Sequence, residues 1–246
     1  MIKGVIFDLD NTLLDFMRMK RSAVEAAVDA MIDAGLKVPK QTMIERVFKA
    51  YGREGIEDQQ IFDKVLQADY GQVDHRILAA GILGYRRAKE GNFKLYPHTR
   101  ITLTALLKMG LRLGIVSDAP RLSVWLRIVG LGLDAFFDGV VAFDDTGEKK
   151  PSAAPFRLAL KKLALEPHET LMIGDWAERD VVGAKTIGMR TAFARYGDDF
   201  GTLHSGADFE VNDIIELVDI IRRENEGQQG LFDAHPHKDA GPEVKR

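Results

Sequence analysis

Short apolar runs that stop abruptly at a polar residue recur along this chain. They cover residues 5–7, 113–116, 140–143, 171–174 and 191–194. Such runs, rich in Val and Ile, are typical of strands buried on both faces of a parallel sheet. Helical patterns separate the later runs, at 101–109, 122–129, 154–163 and 179–187. This alternation predicts an α/β protein with a Rossmann-like, doubly wound parallel sheet.

Residues 16–91 have a different pattern, with no strand-like run. Apolar residues recur there at helical spacing in four stretches, the first of which ends at Gly35. We expect an all-helical insert after the first strand. The α/β core then comprises residues 1–15 and 92–224, with a last helix at 214–223. Residues 225–246 have little periodicity, and we expect them to form a mobile tail.

Composition narrows the classes of function. The 246 residues carry 34 basic and 37 acidic side chains, a net charge of −3, so no basic surface for nucleic acid is expected. The absence of cysteine excludes disulfides, thiolate nucleophiles and zinc–thiolate sites. No uninterrupted apolar run is long enough to span a membrane, and the N-terminal residues do not resemble a signal peptide. We therefore expect a cytoplasmic protein that binds neither nucleic acid nor membrane.

Polar residues with catalytic potential stand where the predicted strands end. Three of the apolar runs are followed at once by Asp8, Ser117 and Asp175, and Lys150 precedes Pro151 in the loop after another run. Parallel strands bring their carboxyl ends to one edge of the sheet, where ligands bind in open α/β folds. The sequence therefore predicts a site with carboxylates, one hydroxyl and one ammonium.

Four segments place these residues among characteristic neighbours. In chain order they are Asp8-Leu9-Asp10-Asn11-Thr12, Ile115-Val116-Ser117-Asp118, Lys149-Lys150-Pro151 and Gly174-Asp175 with Asp180. They resemble the motifs of the haloacid dehalogenase superfamily in its phosphatase form. The helical insert at 16–91 is similar to the C1-type cap of this superfamily. The resemblance implies a phosphatase that hydrolyses a small phosphorylated metabolite through an aspartyl-phosphate intermediate.

The resemblance also implies roles for individual residues. Asp8 would be the nucleophile, and Asp10 the general acid and base. Ser117 and Lys150 would bind the phosphate oxygens and complete the catalytic set. The carboxylates of Asp8 and Asp175, with the backbone carbonyl of Asp10, would hold Mg²⁺, a cation that prefers oxygen ligands. Two further residues would orient this set: Thr12 and Asp180.

Several alternatives stay open at the level of sequence. A haloacid dehalogenase would lack the second aspartate of the first motif, so Asp10 argues against that reaction. A phosphonatase would need a cap lysine, for which Lys20 is a conceivable candidate, and a phosphomutase of the β-phosphoglucomutase type would share the core motifs. A non-enzymatic alternative rests on residues 228–232, which resemble short peptides that dock on sliding clamps. The oligomeric state is not indicated.

Two features depart from the motifs or extend them. Trp176 stands where Ser is common in the superfamily, and Arg179 where Asn is common. Arg18 and Arg21 are three residues apart at the start of the first predicted cap helix, so they share one side of it. We expect a solvated helix face here. The alternative is that Arg18 or Arg21 meets a second anionic group of the substrate.

Overall fold

The computed structural model describes residues 1–233 and contains one six-stranded parallel sheet. In chain order the strands are β1 (Gly4–Phe7), β2 (Arg112–Val116), β3 (Gly139–Val141), β4 (Thr170–Gly174), β5 (Arg190–Ala194) and β6 (Phe209–Val211). Their order in the sheet is β3-β2-β1-β4-β5-β6, and every neighbouring pair is parallel. The predicted α/β class is confirmed. The short strand β6 was not predicted, because Glu210 interrupts its apolar character.

The order of the strands determines where the site forms. The chain winds outward from β1 through β2 to β3, then returns to the other side of β1 for β4 to β6. Phe7 is level with both Ile115 and Ile173 in the register of the sheet. The residues after these three positions therefore emerge together at the topological switch point, which is where doubly wound sheets bind ligands.

Helices cover both faces of the sheet and form the insert. The insert contains α1 (Phe16–Asp33), α2 (Lys40–Glu54), α3 (Ile61–Tyr70) and α4 (His75–Gly91). The helices of the core are α5 (Thr99–Lys108), α6 (Arg121–Gly130), α7 (Phe143–Thr146), α8 (Ala153–Leu163), α9 (Val182–Thr186) and α10 (Glu216–Asp233). The single pattern at 179–187 corresponds to a π-helical turn, Ala177–Val181, that leads into α9. Among the described residues, no helix has the length and apolar character needed to cross a bilayer.

The insert has a hydrophobic core of its own, separate from the two that flank the sheet. Helices α1 and α4 form its centre and pack closely along their length. A Cβ on Gly84 would lie 2.6 Å from the backbone oxygen of Ala26, so only glycine permits this approach. The chain leaves and re-enters the core through adjacent segments, since Leu14 and Leu95 form an isolated antiparallel bridge. The domain limits at 15/16 and 91/92 remain predictions.

The end of the described chain differs from the expected tail. Helix α10 extends to Asp233, beyond residue 224 where we ended the core. Asn225, assigned to the tail, accepts a hydrogen bond from the backbone N–H of Ile2 and donates one to its carbonyl. The last helix therefore runs past the limit predicted at 224, and the mobility of the segment after it remains a prediction. Residues 234–246, and the side chains of the peptide-like stretch 228–232, lie outside what the structure describes.

Candidate active site

The sheet brings the predicted polar residues together at its carboxyl edge. Asp8, Ser117 and Asp175 are all buried there, and the loop before α8 adds Lys150, which is 5 % exposed. Lys150 Nζ lies 2.5 Å from Asp8 Oδ1 and 2.6 Å from Asp180 Oδ1. One buried ammonium thus contacts two carboxylates, one in the loop after β1 and one in the helical turn after β4.

Lys150 is held in place by its main chain as well as by its side chain. Its backbone N–H donates to Asp118 Oδ1 at 2.9 Å, and Asp118 Oδ2 accepts from Arg179 at 3.0 Å. Burial alone would lower the pKa of Lys150, but Asp180, Asp8 and Asp118 together raise it above its usual value. The ammonium is therefore charged at any physiological pH.

Three buried carboxylates form a cluster that could hold a cation. Oxygens of Asp8, Asp175 and Asp180 lie within 4.8 Å of one another. Burial and the neighbouring charges of Asp8 and Asp180 raise the pKa of Asp175 well above its usual range, and burial raises that of Asp8 although Lys150 opposes it. A divalent cation would offset this desolvation and repulsion, so the residues present fit a metal with hard oxygen ligands.

Asp180 belongs to this cluster in space, although the resemblance implies an orienting role. Its Oδ1 accepts from Lys150, and its Oδ2 accepts from the backbone N–H of Trp176 at 3.0 Å. Burial raises its pKa to about 6, opposed by Lys150. A Cβ on Gly174 would lie 2.2 Å from Asp180 Cγ, so glycine is required before Asp175. Because both oxygens already have donors, this geometry favours the orienting role, which remains a prediction.

The loop after β1 holds Thr12 against Asp175. Thr12 Oγ1 donates to Asp175 Oδ1 at 3.0 Å, and both residues are buried. Asn11 has a φ of 58°, a left-handed conformation that asparagine tolerates better than most residues. Gly197 lies so close to this loop that its Cβ would clash with the Asn11 carbonyl. The predicted orienting function of Thr12 is consistent with this contact.

The side chain of Asp10 lies apart from the carboxylate cluster and contacts an arginine that the sequence analysis did not single out. Arg127 Nε is 3.1 Å from Asp10 Oδ1, and Arg127 also donates to Glu57 of the insert. Burial raises the pKa of Asp10 to about 6, with Arg127 opposing the shift and Glu57 adding to it. A carboxyl with this pKa can both donate and accept a proton near neutrality, as a general acid and base must.

A cleft of about 710 Å³ between the sheet edge and the insert contains the site. Its wall from the insert combines aromatic and aliphatic residues with the carboxylates of Glu54, Glu57 and Asp58. Opposite them, Trp176 packs on Phe200 with ring centroids 4.4 Å apart, and the Arg179 guanidinium lies 3.6 Å above the Trp176 ring. The two residues that depart from the superfamily motif therefore form part of this rim.

Ser117 lies in the same cleft, and its hydroxyl can donate a hydrogen bond to a ligand. Its Oγ accepts the backbone N–H of Ala119 at 3.2 Å. That contact uses an oxygen lone pair and leaves the hydroxyl proton available as a donor. The predicted contact with phosphate is therefore sterically open.

The basic residues at the start of α1 do not face this cleft. Arg18 and Arg21 line a separate depression of about 470 Å³, and Arg21 forms an ion pair with Asp199 at 2.9 Å. This placement favours the solvated-face reading over a contact with substrate. Lys20 is buried, with Nζ 4.1 Å from the centre of the Tyr51 ring and hydrogen bonded to Tyr85. Burial lowers the pKa of Lys20 to about 8.

The fold and the site together indicate a class of enzyme. A carboxylate–lysine cluster at the switch point of a parallel sheet, covered by a helical insert, is the arrangement of a capped α/β hydrolase. The profile of the haloacid dehalogenase-like hydrolases matches residues 2–188. The chain belongs to this family, as its four motifs predicted.

Individual relatives are similar over nearly the whole chain. A glyceraldehyde 3-phosphate phosphatase of Methanocaldococcus jannaschii is 35 % identical over 90 % of this chain and 98 % of its own. A phosphoglycolate phosphatase of Yersinia pestis is 29 % identical over 81 % of this chain and 84 % of its own. The structure of a phosphatase of this family from Thermococcus onnurineus matches with a TM-score of 0.66 and 27 % identity, covering 89 % of this chain and 98 % of that one.

Proposed function

We propose that this protein is a Mg²⁺-dependent phosphatase that hydrolyses small phosphorylated metabolites through an aspartyl-phosphate on Asp8. The observation that carries the proposal is the contact of Lys150 with both Asp8 and Asp180, beside Asp175. A carboxylate is a weak nucleophile toward a phosphate dianion, so positive charge beside it is the first requirement of the reaction. The phosphatase relatives support the same reaction.

The residues divide the reaction between them. Asp8 attacks phosphorus while Lys150 and the Ser117 hydroxyl stabilise charge on the transferring phosphoryl oxygens. Asp10 protonates the departing alkoxide, then removes a proton from the water that hydrolyses the intermediate. Asp8 and Asp175, with the Asp10 carbonyl, would hold Mg²⁺, which supplies further positive charge at the phosphate. All of these donors are oxygens, and the chain has no cysteine, which favours Mg²⁺ over softer metals.

We propose that the leaving group is uncharged, as in glyceraldehyde 3-phosphate. Nine carboxyl residues but only three cations line the described cleft, and all three charged residues from the insert are acidic. The cations are Lys149, Lys150 and Arg179. Lys150 forms an ion pair with Asp8, and Arg179 forms one with Asp118. Glu54 and Asp58 pair with Lys64, and Glu57 pairs with Arg127. The described insert therefore offers the cleft no free cation for a second negative charge on the substrate, as in phosphoglycolate.

The same charge distribution disfavours a phosphomutase. A mutase of this family must also bind a second phosphate, and the described insert offers no cation to the cleft for it. A phosphonatase that uses Lys20 is disfavoured because Lys20 is not among the described residues that line the cleft. Asp10 argues against a dehalogenase, which needs no group to protonate an alkoxide.

A phosphate-release assay over a small panel tests the proposal. The panel contains glyceraldehyde 3-phosphate, glycerol phosphate, phosphoglycolate and p-nitrophenyl phosphate, each with Mg²⁺ and with EDTA. We expect Mg²⁺-dependent release, with kcat/KM for the uncharged leaving groups at least tenfold above that for phosphoglycolate. Activity that persists in EDTA, or that Asp8→Asn retains, would overturn the mechanism, and a preference for phosphoglycolate would overturn the substrate class.

A further inference from the structure

Arg127 lies where three parts of the molecule meet. It projects from α6 of the core and is only 3 % exposed. Its Nε lies 3.1 Å from Oδ1 of Asp10, in the loop after β1, and its Nη2 donates to Glu57 of the insert. The guanidinium carbon lies 4.7 Å from the centre of the Phe16 ring, at the first residue of the insert.

We infer that Arg127 is a positioning residue that holds the Asp10 carboxyl toward the leaving group and ties that position to closure of the insert through Glu57. The inference rests on the proposed function, since it assigns Asp10 the proton transfer. Asp10 and Glu57 repel each other, so the insert can approach with Glu57 only because the guanidinium lies between the two carboxylates. The planar fork of arginine suits such a bridge, whereas the point charge of lysine contacts one partner well.

The network is poorly explained as a purely structural ion pair. Burying a guanidinium between two half-buried carboxylates is costly, and apolar residues of similar volume often stabilise a fold at least as well. The inward face of α6 otherwise presents Val124 and Ile128, so Arg127 interrupts an apolar stripe. Moreover, three buried side-chain polar atoms among residues 1–227 lack a hydrogen bond of good geometry, and two of them are Arg127 Nη1 and Asp10 Oδ1, the latter in spite of its ion-pair contact with Arg127 Nε. Native proteins keep few such atoms, so two of them beside a reacting centre indicate function.

Two substrates with different leaving groups distinguish a variant that misplaces Asp10 from one that has lost its structure. An alkoxide needs a proton from Asp10 as it departs, whereas p-nitrophenolate departs without one. The value of kcat/KM reports only the steps up to phosphorylation of Asp8, before Asp10 acts on water. The ratio of kcat/KM for glycerol phosphate to that for p-nitrophenyl phosphate therefore measures help from the acid alone.

The experiment compares Arg127→Ala, Arg127→Lys and Glu57→Gln with the wild type. We expect Arg127→Ala to lower kcat/KM for glycerol phosphate about 10²-fold and that for p-nitrophenyl phosphate less than about fivefold, within the range of general acid catalysis. Arg127→Lys should restore part of the lost ratio, and Glu57→Gln should lower the ratio about threefold. Arg121→Ala is the matched control, because Arg121 lies on the same helix, is exposed and pairs with Asp145.

Each outcome decides the inference. An equal fall with both substrates in a folded Arg127→Ala variant, or a ratio like that of Arg121→Ala, would overturn it. If Arg127→Ala does not fold, Arg127→Lys and Glu57→Gln decide, and unchanged ratios in both would overturn it. Failure of the proposed function is a separate result, in which the wild type itself hydrolyses neither ester.

Discussion

Lys150 and Asp8 form a contact of 2.5 Å between an ammonium and a carboxylate, both buried at the edge of the sheet. The two residues are 142 positions apart in the chain. Asp8 follows β1, and Lys150 lies in the connection that leads from β3 to β4, the neighbour of β1 in the sheet. The contact keeps Asp8 closer to its ionised form in a site where burial acts in the opposite direction. The proposed nucleophile and its electrostatic support are therefore already assembled.

Lys150→Ala should abolish catalysis and weaken the fold. The substitution leaves Asp8, Asp175 and Asp180 buried without their shared cation, and breaking a buried ion pair typically costs about 3–5 kcal/mol. We expect kcat/KM to fall by at least about 10²-fold, with a lower denaturation midpoint in the absence of metal. Lys161→Ala is the control, because Lys161 is exposed on α8 and is not among the described residues that line the cleft. Near-normal turnover in Lys150→Ala would contradict this assignment.

Asp8→Asn and Asp10→Asn should separate the nucleophile from the acid–base group. An amide at position 8 cannot attack phosphorus, so turnover should vanish. Asp10→Asn should lower kcat roughly 10²–10⁴-fold while Mg²⁺ still binds, since only the Asp10 carbonyl is proposed as a ligand. Calorimetric Mg²⁺ titration beside steady-state kinetics measures both effects. Loss of Mg²⁺ binding in Asp10→Asn would show that its side chain is a ligand.

Without metal, the protein should lose stability as pH rises from 5 to 7. The pKa values of Asp10 and Asp180 are raised to about 6, so the folded state holds protons that the unfolded state has released. This contribution to stability is fully present below the pKa of the unfolded state and is lost as pH rises through the folded value, by about 1 kcal/mol per group between pH 5 and 7, at 1.36 kcal/mol per unit of pKa. Carboxyls with a lowered pKa, such as Glu57, are ionised throughout this window.

Thermal melts in EDTA across this pH range provide the measurement. Mg²⁺ should raise the midpoint more at pH 7 than at pH 5, because protons compete with the cation for the carboxylates. Asp180→Asn should reduce the slope in EDTA. A midpoint in EDTA that rises between pH 5 and 7 would show that these carboxyls are not held protonated.

Glu54→Lys should shift the substrate preference toward an anionic leaving group. The substitution adds a cation to the wall that the insert contributes to the cleft. We expect the ratio of kcat/KM for phosphoglycolate to that for glyceraldehyde 3-phosphate to rise roughly tenfold. Glu45→Lys makes the same charge change at an exposed position of α2. Equal ratios in both variants would mean that the charge of the cleft wall does not select the substrate.

The local pattern was enough to predict the sheet and the position of Asp8 at its carboxyl edge. Buried parallel strands need continuous apolar runs, and a carboxylate directly after such a run, as at Asp8, has few structural explanations. The lone Arg127 in the apolar stripe of α6 was a signal of the same kind. Its partners, Asp10 and Glu57, lie in other elements, so the local pattern does not reveal them. Strand β6 was not predicted because it is short, and the full length of α10 was not predicted because the end of its pattern is weakly periodic.

The sequence by itself determined the α/β class, the helical insert and the identity of the residues at the strand ends, since each of these depends on neighbours in the chain. The tertiary structure alone decided which charges share an environment. It placed Asp180 in the carboxylate cluster, directed Arg21 to Asp199 and brought Glu57 to Arg127. Such pairings arise when distant segments pack, and burial then changes the pKa of each group. The acid–base chemistry of this site is therefore a property of the fold.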